Sequence, residues 1–336
     1  MVSATGAYPD SDLMTTELQT GTQLDHYQIE GVTARSGMAS IFRGKDLRTG
    51  RQVAIKVPHP EMEADPALFD RFKREEQIGM AMDHPGVMKV FGDEDRSQVY
   101  MVMEWVDGRL LRKILNEKGK LPPERAVRLA VKILSALEYI HSHGVVHRDL
   151  KPENIMVNKL DGIKLIDFGI AANVGSKRLT FAKFTQTMGT PDYISPEQVK
   201  GKRGDGRSDI YALGVMLYEM LTGKVPFTGS NAFTIMNDRL LNNPVPPREI
   251  DPTITPQLQE IIYRAVERDP AKRYQSAREF AHDLEHPEQV GVADREELTN
   301  WKVRRQPRTR QVLFYLAMAA IPVVIFAILL WVAKHT

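Results

Sequence analysis

The stretch that decides the fold is "HRDLKPEN", residues 147–154, and shortly after it stands "DFG", residues 167–169. These two segments bring two aspartates, a lysine and an asparagine close together in the sequence. Any one of these side chains alone would most often belong to an exposed ion pair, which contributes little to stability. Two other segments accompany them in a set order: "VAIK" at 53–56 precedes them, and "GTPDYISPE" at 189–197 follows.

Together these segments resemble the signature set of protein kinases. Their order at domain-scale spacing carries the resemblance, which extends over roughly residues 27–285. Within that family, "MEWVDG" and "GTPDYISPEQ" are most similar to bacterial membrane-anchored (Hanks-type) serine/threonine kinases. The resemblance implies an α+β, bilobal protein-kinase fold with an antiparallel β-rich N-lobe and a helical C-lobe.

The composition of the chain excludes several classes of site. There are no cysteines, so disulfides, thiolate zinc sites and cysteine nucleophiles are excluded. The net charge of +2 gives no indication of nucleic-acid binding. With 336 residues, 42% of them hydrophobic, the chain can bury a sizeable core in one large or two modest domains.

Hydrophobic patterns divide the chain into a strand-rich part and a helical part. The runs "HYQIEGV", "SIFRGKD" and "QVAIKV" predict three antiparallel strands, and "VMKVFGDE" and "QVYMVMEWV" predict two more. A helix is predicted to begin after Asp65-Pro66. Beyond Pro123, "PERAVRLAVKILSALEYIHSHG" has helical periodicity, and "SDIYALGVMLYEMLTG" is apolar on nearly every side, as in a buried helix. "TPQLQEIIYRAVERDP" and "SAREFAHDLEH" predict further helices.

These patterns predict a flexible N-terminal tail over 1–25 and a kinase domain over 26–286, with its N-lobe at 26–104 and its C-lobe at 108–286. After the domain we predict a basic juxtamembrane linker over 287–311 and one C-terminal transmembrane helix over 312–333. A short extracytoplasmic tail over 334–336 ends the sequence.

The predicted transmembrane helix rests on the run 312–333, which carries no charge. As a helix it would be about 33 Å long, enough to span a bilayer, whereas a buried core helix of this length rarely lacks every charged residue. Five basic residues precede it: Lys302, Arg304, Arg305, Arg308 and Arg310. They favour a cytoplasmic kinase domain on a single-pass protein of the cell membrane.

The resemblance assigns a role to each residue of the catalytic set. Asp149 would accept the proton of the substrate hydroxyl, and Lys151 would meet the transferred phosphate. Lys56 would bind the α- and β-phosphates of ATP. Asn154 and Asp167 would supply oxygen ligands for Mg²⁺, with Mn²⁺ as an alternative metal.

Lys56 needs an anionic partner, and the helix "FKREEQIG" offers two. Glu75 fits better because of its spacing in the sequence from "HPGV", residues 84–87, and Glu76 is the alternative. Gly79 in the same helix costs up to about 1 kcal/mol relative to alanine. This predicts a soft helix whose positioning depends on partners or dimerisation.

By the same resemblance, five residues form the adenine pocket. Met103 would border it, the backbone at Glu104 and Val106 would hydrogen-bond adenine, and Ala54 and Met156 would sandwich the ring. Plain core packing is an alternative role for the apolar members of this set.

The nucleotide-covering loop departs from the family pattern. The three glycines of G-x-G-x-x-G-x-V fall at Ala34, Ser36 and Ala39, with Ile41 for the valine, and only the neighbouring Gly37 is a glycine. A left-handed conformation costs a non-glycine residue roughly 1–2 kcal/mol, and that cost vanishes if the loop stays extended. Two outcomes are open: a stiffer loop with weaker ATP binding, or a hold on the phosphates too poor for efficient catalysis.

Other matches predict structural and regulatory roles. Asp209 resembles the buried aspartate that holds the catalytic loop, and Arg273 should pair with Glu197. Arg148 would respond to a phosphorylated activation loop. The best candidate phosphosites are Thr185 and Thr187, followed by Thr180 and Ser176.

The sequence therefore predicts a membrane-anchored serine/threonine protein kinase that acts on protein substrates and autophosphorylates its activation loop. Small residues in the span, Ala317, Ala319 and Ala320, allow a homodimer. Two alternatives stay open: a non-catalytic kinase-like scaffold, supported only by the altered loop, and a small-molecule phosphotransferase on the same fold. No nucleic-acid partner is expected.

Overall fold

The computed structural model of the protein describes residues 18–36, 38–92, 96–167 and 191–293. Three groups of predicted residues lie outside this described part: Gly37, the candidate phosphosites Thr180, Thr185 and Thr187, and the apolar run 312–333. Among the helices of the described part, none has the length and apolarity needed to cross a membrane.

The N-lobe is built on an antiparallel six-stranded sheet with the order β1-β2-β3-β4-β6-β5. Its strands are β1 (Gln23–Leu24), β2 (Tyr27–Arg35), β3 (Ala39–Asp46), β4 (Gln52–Pro58), β5 (Val90–Phe91) and β6 (Met101–Glu104). The three strands predicted between positions 27 and 57 are confirmed, whereas β5 and β6 are shorter than their apolar runs predicted.

The predicted N-terminal tail over 1–25 requires a correction at its end. Gln23–Leu24 forms β1 and pairs with β2. Leu24 is buried in the N-lobe core, and the partly buried Leu18 packs against the same cluster. These two leucines provide the apolar contacts that attach the segment, and the polar composition around them concealed this in the sequence.

Two helices lie between β4 and β5: α1 (Pro60–Glu63) and α2 (Pro66–Ala81). As predicted, α2 begins after Asp65, whose carboxylate accepts hydrogen bonds from the N–H groups of Ala67 at 2.9 Å and Leu68 at 3.3 Å. An aspartate at this position satisfies backbone donors that have no partner within the helix. The start of α2 is therefore fixed by its own sequence.

The C-lobe combines a small three-stranded sheet with helices. Its elements are β7 (Gly108–Leu110), α3 (Leu111–Lys118), α4 (Pro123–Ser142), β8 (Ile155–Asn158), β9 (Ile163–Leu165), α5 (Pro196–Val199), α6 (Gly206–Thr222), α7 (Ala232–Leu241), α8 (Pro247–Ile250), α9 (Pro256–Ala265) and α10 (Ala277–Glu285). Helix α6 is buried from Ser208 to Thr222, as its apolar pattern predicted.

Two pairs of hydrogen bonds connect distant segments, one pair at Leu165 and the other in the C-lobe core. The Leu165 N–H donates to the carbonyl of Gly86 at 2.8 Å, and the Met88 N–H donates to the carbonyl of Leu165 at 2.9 Å. In the C-lobe core, the fully buried Arg273 donates to both carboxylate oxygens of Glu197, at 2.9 and 2.7 Å. The predicted pairing of Arg273 with Glu197 is confirmed.

Gly79 has a packing role that the sequence analysis did not foresee. A Cβ atom at this position would overlap Cγ2 of Val90 and lie 3.0 Å from its Cβ. The missing side chain therefore lets α2 approach β5 closely. Close contact between α2 and β5 requires a glycine at this position. The predicted softness of the helix is therefore not needed to explain why Gly79 is there.

The close contact between Gly79 and Val90 predicts that substitutions at these two positions have non-additive effects on stability. Gly79→Ala gains up to about 1 kcal/mol of helix propensity, but overpacking against Val90 costs about 1–3 kcal/mol. We expect a net loss of stability in chemical denaturation and reduced activity, since α2 must shift. In the background of Val90→Ala, Gly79→Ala should lower the free energy of unfolding by clearly less. Equal costs in both backgrounds would refute the packing explanation.

Candidate active site

Lys56 lies at the centre of the site between two carboxylates. From β4, its Nζ donates to Glu75 Oε1 at 2.9 Å and to Asp167 Oδ1 at 3.1 Å. The side chains of Lys56 and Glu75 are only 14% and 15% exposed, whereas that of Asp167 is 47% exposed. The group thus joins the sheet, helix α2 and the segment after β9, and it is open toward solvent at Asp167.

The three groups influence one another's protonation. Burial lowers the pKa of Lys56, but Asp167 and Glu75 outweigh it, so the pKa lies above the ordinary value. Burial raises the pKa of Asp167, but the positive charge of Lys56 prevails and the net pKa is lowered. The pKa of Glu75 is raised, because its burial and the nearby Asp167 exceed the attraction of Lys56. At neutral pH, Lys56 is therefore a cation and Asp167 an anion.

The alternative partner, Glu76, faces elsewhere. Its Oε1 lies 2.5 Å from Nη1 of Arg96, which follows β5, and both side chains are largely buried. The helix therefore directs Glu75 toward Lys56 and the adjacent Glu76 toward the loop between β5 and β6.

The loop before β8 brings together Asp149, Lys151 and Asn154. Lys151 Nζ donates to Asp149 Oδ2 at 2.7 Å. The amide nitrogen of Asn154 donates to the Asp149 carbonyl at 2.7 Å and to its Oδ2 at 3.3 Å. Asp149 is 41% exposed, so its carboxylate is held in place and still reachable from solvent.

Asp209 of α6 holds this loop in place through hydrogen bonds. Its fully buried carboxylate accepts the N–H groups of His147 at 2.9 Å and Arg148 at 2.8 Å, and it also contacts His141 Nε2 at 2.8 Å. Arg148 has a φ of 63°, a left-handed conformation that costs a residue with a side chain roughly 1–2 kcal/mol. The hydrogen bonds to Asp209 offset that cost, and this agrees with the role predicted for Asp209.

Asn154 and Asp167 form a donor set that suits a hard divalent cation. The Ile166 N–H donates to the carbonyl of Asn154 at 2.9 Å, which brings Asp167, the next residue, beside Asn154. Because the amide nitrogen of Asn154 is engaged with Asp149, its Oδ1 is left as an oxygen ligand. Two oxygen ligands with the remainder from phosphate and water is the usual arrangement for Mg²⁺.

Three of the residues predicted around adenine, Ala54, Met103 and Val106, share one apolar cluster. Ile41, predicted at the valine position of the nucleotide-covering loop, packs against the same cluster. Ala54 on β4 is opposite Met103 on β6. The Glu104 N–H is already donated to the carbonyl of Lys89 at 2.9 Å, so its carbonyl is the group left to recognise adenine. Met156 on β8, paired with Leu110 of β7, lies in the C-lobe sheet.

The loop between β2 and β3 is stabilised by Ser36. Its Oγ accepts the N–H groups of Met38 at 3.3 Å and Ala39 at 3.1 Å, and it donates to the carbonyl of Ala39 at 3.0 Å. Ala34 belongs to β2 and is opposite Ile41 of β3. Among the described residues of this loop, none has a positive φ, so the glycine replacements cost no left-handed strain.

Two arginines near the segment 191–193 were missed by the sequence analysis. Arg112 of α3 donates to Glu153 at 2.9 Å and to Glu219 at 2.7 Å, and it also contacts Tyr193. Arg239 of α7, fully buried, donates to the carbonyls of Pro191 at 2.6 Å and Asp192 at 2.5 Å. Their partners are far away in the sequence, so no local pattern could have indicated them.

Comparison with known proteins agrees with this geometry. Residues 31–286 match the family described as protein kinase domain. The chain is 40% identical over 264 residues to a protein of Streptomyces coelicolor described as a probable serine/threonine-protein kinase, a match covering 77% of this chain and 39% of the relative. It is 37% identical over 265 residues to the serine/threonine-protein kinase PknB of Mycolicibacterium smegmatis, covering 77% and 42%. The chain thus spans about two-fifths of the length of these relatives.

A solved structure has the same fold. The crystal structure of the Mycobacterium tuberculosis PknI kinase domain superposes with a TM-score of 0.63 at 26% identity, over 81% of this chain and 99% of that domain. The chain therefore belongs to the protein kinase family, and its relatives are bacterial Hanks-type serine/threonine kinases.

Proposed function

We propose that the protein is an active serine/threonine protein kinase that transfers the γ-phosphoryl group of ATP to hydroxyl groups of proteins. The observation that carries the proposal is Lys56, which contacts Glu75 and Asp167 at the same time. Kinase activity requires both the lysine–helix ion pair and a metal-binding aspartate in place. The serine/threonine-protein kinases that the chain resembles support the same activity.

Each step follows from the position of a side chain. Lys56 would orient the α- and β-phosphates, and Asn154 and Asp167 would hold Mg²⁺, which would neutralise phosphate charge. The substrate hydroxyl approaches the exposed carboxylate of Asp149, which takes its proton. Lys151, 2.7 Å from Asp149, is placed to offset charge on the phosphoryl group as it moves.

The proposal extends to membrane anchoring and to regulation. The charge-free run 312–333, preceded by five basic residues, supports a single span with the kinase domain on the cytoplasmic side. Arg148 next to Asp149 supports activation by phosphorylation at Thr185 or Thr187, because an arginine there can pair with a phosphate.

The first experiment is phosphate transfer from labelled ATP to a generic protein substrate, by the full chain in lipid vesicles over a wide ATP range. Asp149→Asn keeps the size of the side chain and removes the proton acceptor. We expect it to lower kcat by about 10²- to 10⁴-fold. Glu288→Gln, an exposed residue near the end of the domain, is the matched control and should leave the rate unchanged.

Absence of transfer by the unmodified chain, with either Mg²⁺ or Mn²⁺, would contradict an active kinase. ATP binding without transfer would then favour the scaffold alternative. Transfer to small hydroxyl compounds but not to proteins would instead favour a small-molecule phosphotransferase.

The same active preparation tests the regulatory proposal. Mass spectrometry of the digested protein should find phosphate on at least one residue between Gly169 and Ser195, with Thr185 and Thr187 as the expected positions. The Asp149→Asn protein, prepared alone, should lack that phosphate. An active preparation without phosphate in this interval would exclude activation-loop autophosphorylation.

Ser36 is expected to limit ATP affinity. Its Oγ occupies the N–H groups of Met38 and Ala39, and such bonds contribute about 0.5–1.5 kcal/mol each. Ser36→Ala frees these donors for phosphate, so the Kd for ATP should fall by about threefold to tenfold. Thr33→Ala removes an exposed hydroxyl from the adjacent strand β2 and serves as control. Weaker binding in Ser36→Ala would show instead that the hydroxyl builds the ATP-binding shape of the loop.

A further inference from the structure

Two adjacent glutamates of α2 make ion pairs on different sides of the helix. Glu75 contacts Lys56 at 2.9 Å, and Glu76 contacts Arg96 at 2.5 Å. Consecutive residues of an α-helix point about 100° apart. All four side chains are 14–16% exposed, so these pairs are shielded from solvent more than ordinary surface pairs.

Besides the fully buried Phe72, these two ion pairs oppose rotation of α2 about its own axis. A single ion pair leaves a helix free to pivot around that contact, whereas two pairs on one turn in different directions do not. A rotation that withdraws Glu76 from Arg96 also withdraws Glu75 from Lys56. One turn further along, Gly79 seats the helix against Val90 of β5 and limits its translation.

Arg96 is itself held by residues outside α2. Its guanidinium donates to the carbonyl of Tyr100 and lies 5.4 Å from the centre of the Tyr100 ring. The fully buried Tyr100 donates its hydroxyl to Asp25 Oδ2 at 2.6 Å. Asp25 also accepts the Ser97 N–H at 3.1 Å, so it contacts two residues that follow Arg96 in the same segment.

Asp25 lies between β1 and β2, before residues 31–286 that match the kinase family. It has a φ of 51°, a conformation that an aspartate tolerates better than most residues. The segment is attached by β1 pairing and by the buried Leu24. A series of contacts thus leads from this N-terminal segment through Tyr100 and Arg96 to Glu76.

We propose that Arg96 is a positioning residue which, supported by Asp25 through Tyr100, sets the rotation of α2 and so keeps Glu75 on Lys56. The residues before the kinase-family region thereby contribute to the active arrangement of the site. The inference deepens the proposed kinase function and rests on it for its kinetic consequence, but the position of α2 is measurable without activity.

The kinetic test uses Arg96→Met, Glu76→Gln and Asp25→Asn in the full chain in lipid vesicles. Each should lower kcat by on the order of tenfold, because loss of one charged partner shifts α2 away from its active position. KM for the protein substrate should change by less than about twofold, since none of the three touches it. Arg96→Lys, which keeps the charge, should recover most of the rate.

Two comparisons make the test specific. Combining Arg96→Met with Glu76→Gln should lower kcat no further than either change alone, because both break the same pair. Arg74→Met removes an exposed arginine from the same helix and should leave kcat unchanged. Additive losses, or an equal loss in Arg74→Met, would overturn the proposal.

The position of α2 is measured separately with spin labels. The chain has no cysteine, so cysteines introduced at the exposed Lys73 of α2 and Lys45 of β3 carry the two labels. We expect one narrow distance in the unmodified background, and a broadened or shifted distribution with Arg96→Met or Asp25→Asn. An unchanged distribution would overturn the inference even if kcat fell. Failure of phosphate transfer in every variant, with the distances behaving as expected, would instead count against the proposed kinase function.

Discussion

The active arrangement depends on one ammonium group placed between two carboxylates. Lys56 can keep its charge in a largely buried position only because Glu75 and Asp167 both lie within 3.1 Å. Removal of either carboxylate would leave a buried cation poorly compensated, which is expensive in a low-dielectric environment. Since the three residues come from β4, from α2 and from the segment after β9, this contact requires that the sheet, the helix and the C-lobe are assembled together.

The C-lobe supplies the fixed reference for that assembly. Asp209, fully buried in α6, accepts two backbone N–H groups of the loop that carries Asp149 and stabilises the left-handed Arg148. The same loop reaches Asp167 through the hydrogen bond from Ile166 to Asn154. Because α6 is buried in the core, its Asp209 provides a rigid attachment point for this loop. Helix α2 is held by different contacts: the fully buried Phe72, the close approach of Gly79 to Val90, and the ion pairs of its glutamates.

The sequence predicted those parts of the protein in which the pattern is local. Strands β2 to β4, the start of α2 at Asp65 and the burial of α6 follow from periodicity and capping within a few residues. The position of Glu75 next to Lys56 could be proposed from motif spacing, although spacing alone left Glu76 open. What the sequence could not indicate were contacts between distant residues of no special type, such as Arg96 with Glu76, Arg112 with Glu219 and the anchoring of Leu24.

In the loop "TARSGMASIF", residues 33–42, residues other than glycine stand at the three glycine positions of the kinase pattern. Glycine serves such a loop by permitting positive φ and by letting backbone N–H groups approach phosphate. Where the loop is described, it keeps negative φ, so the first property is not required. The second is modified, because Ser36 Oγ takes the N–H groups of Met38 and Ala39 that would face a phosphate. The Ser36 hydroxyl thus acts as an acceptor within the loop and stabilises its shape. The residues that stand in place of glycine leave the contacts of Lys56 with Glu75 and Asp167 intact.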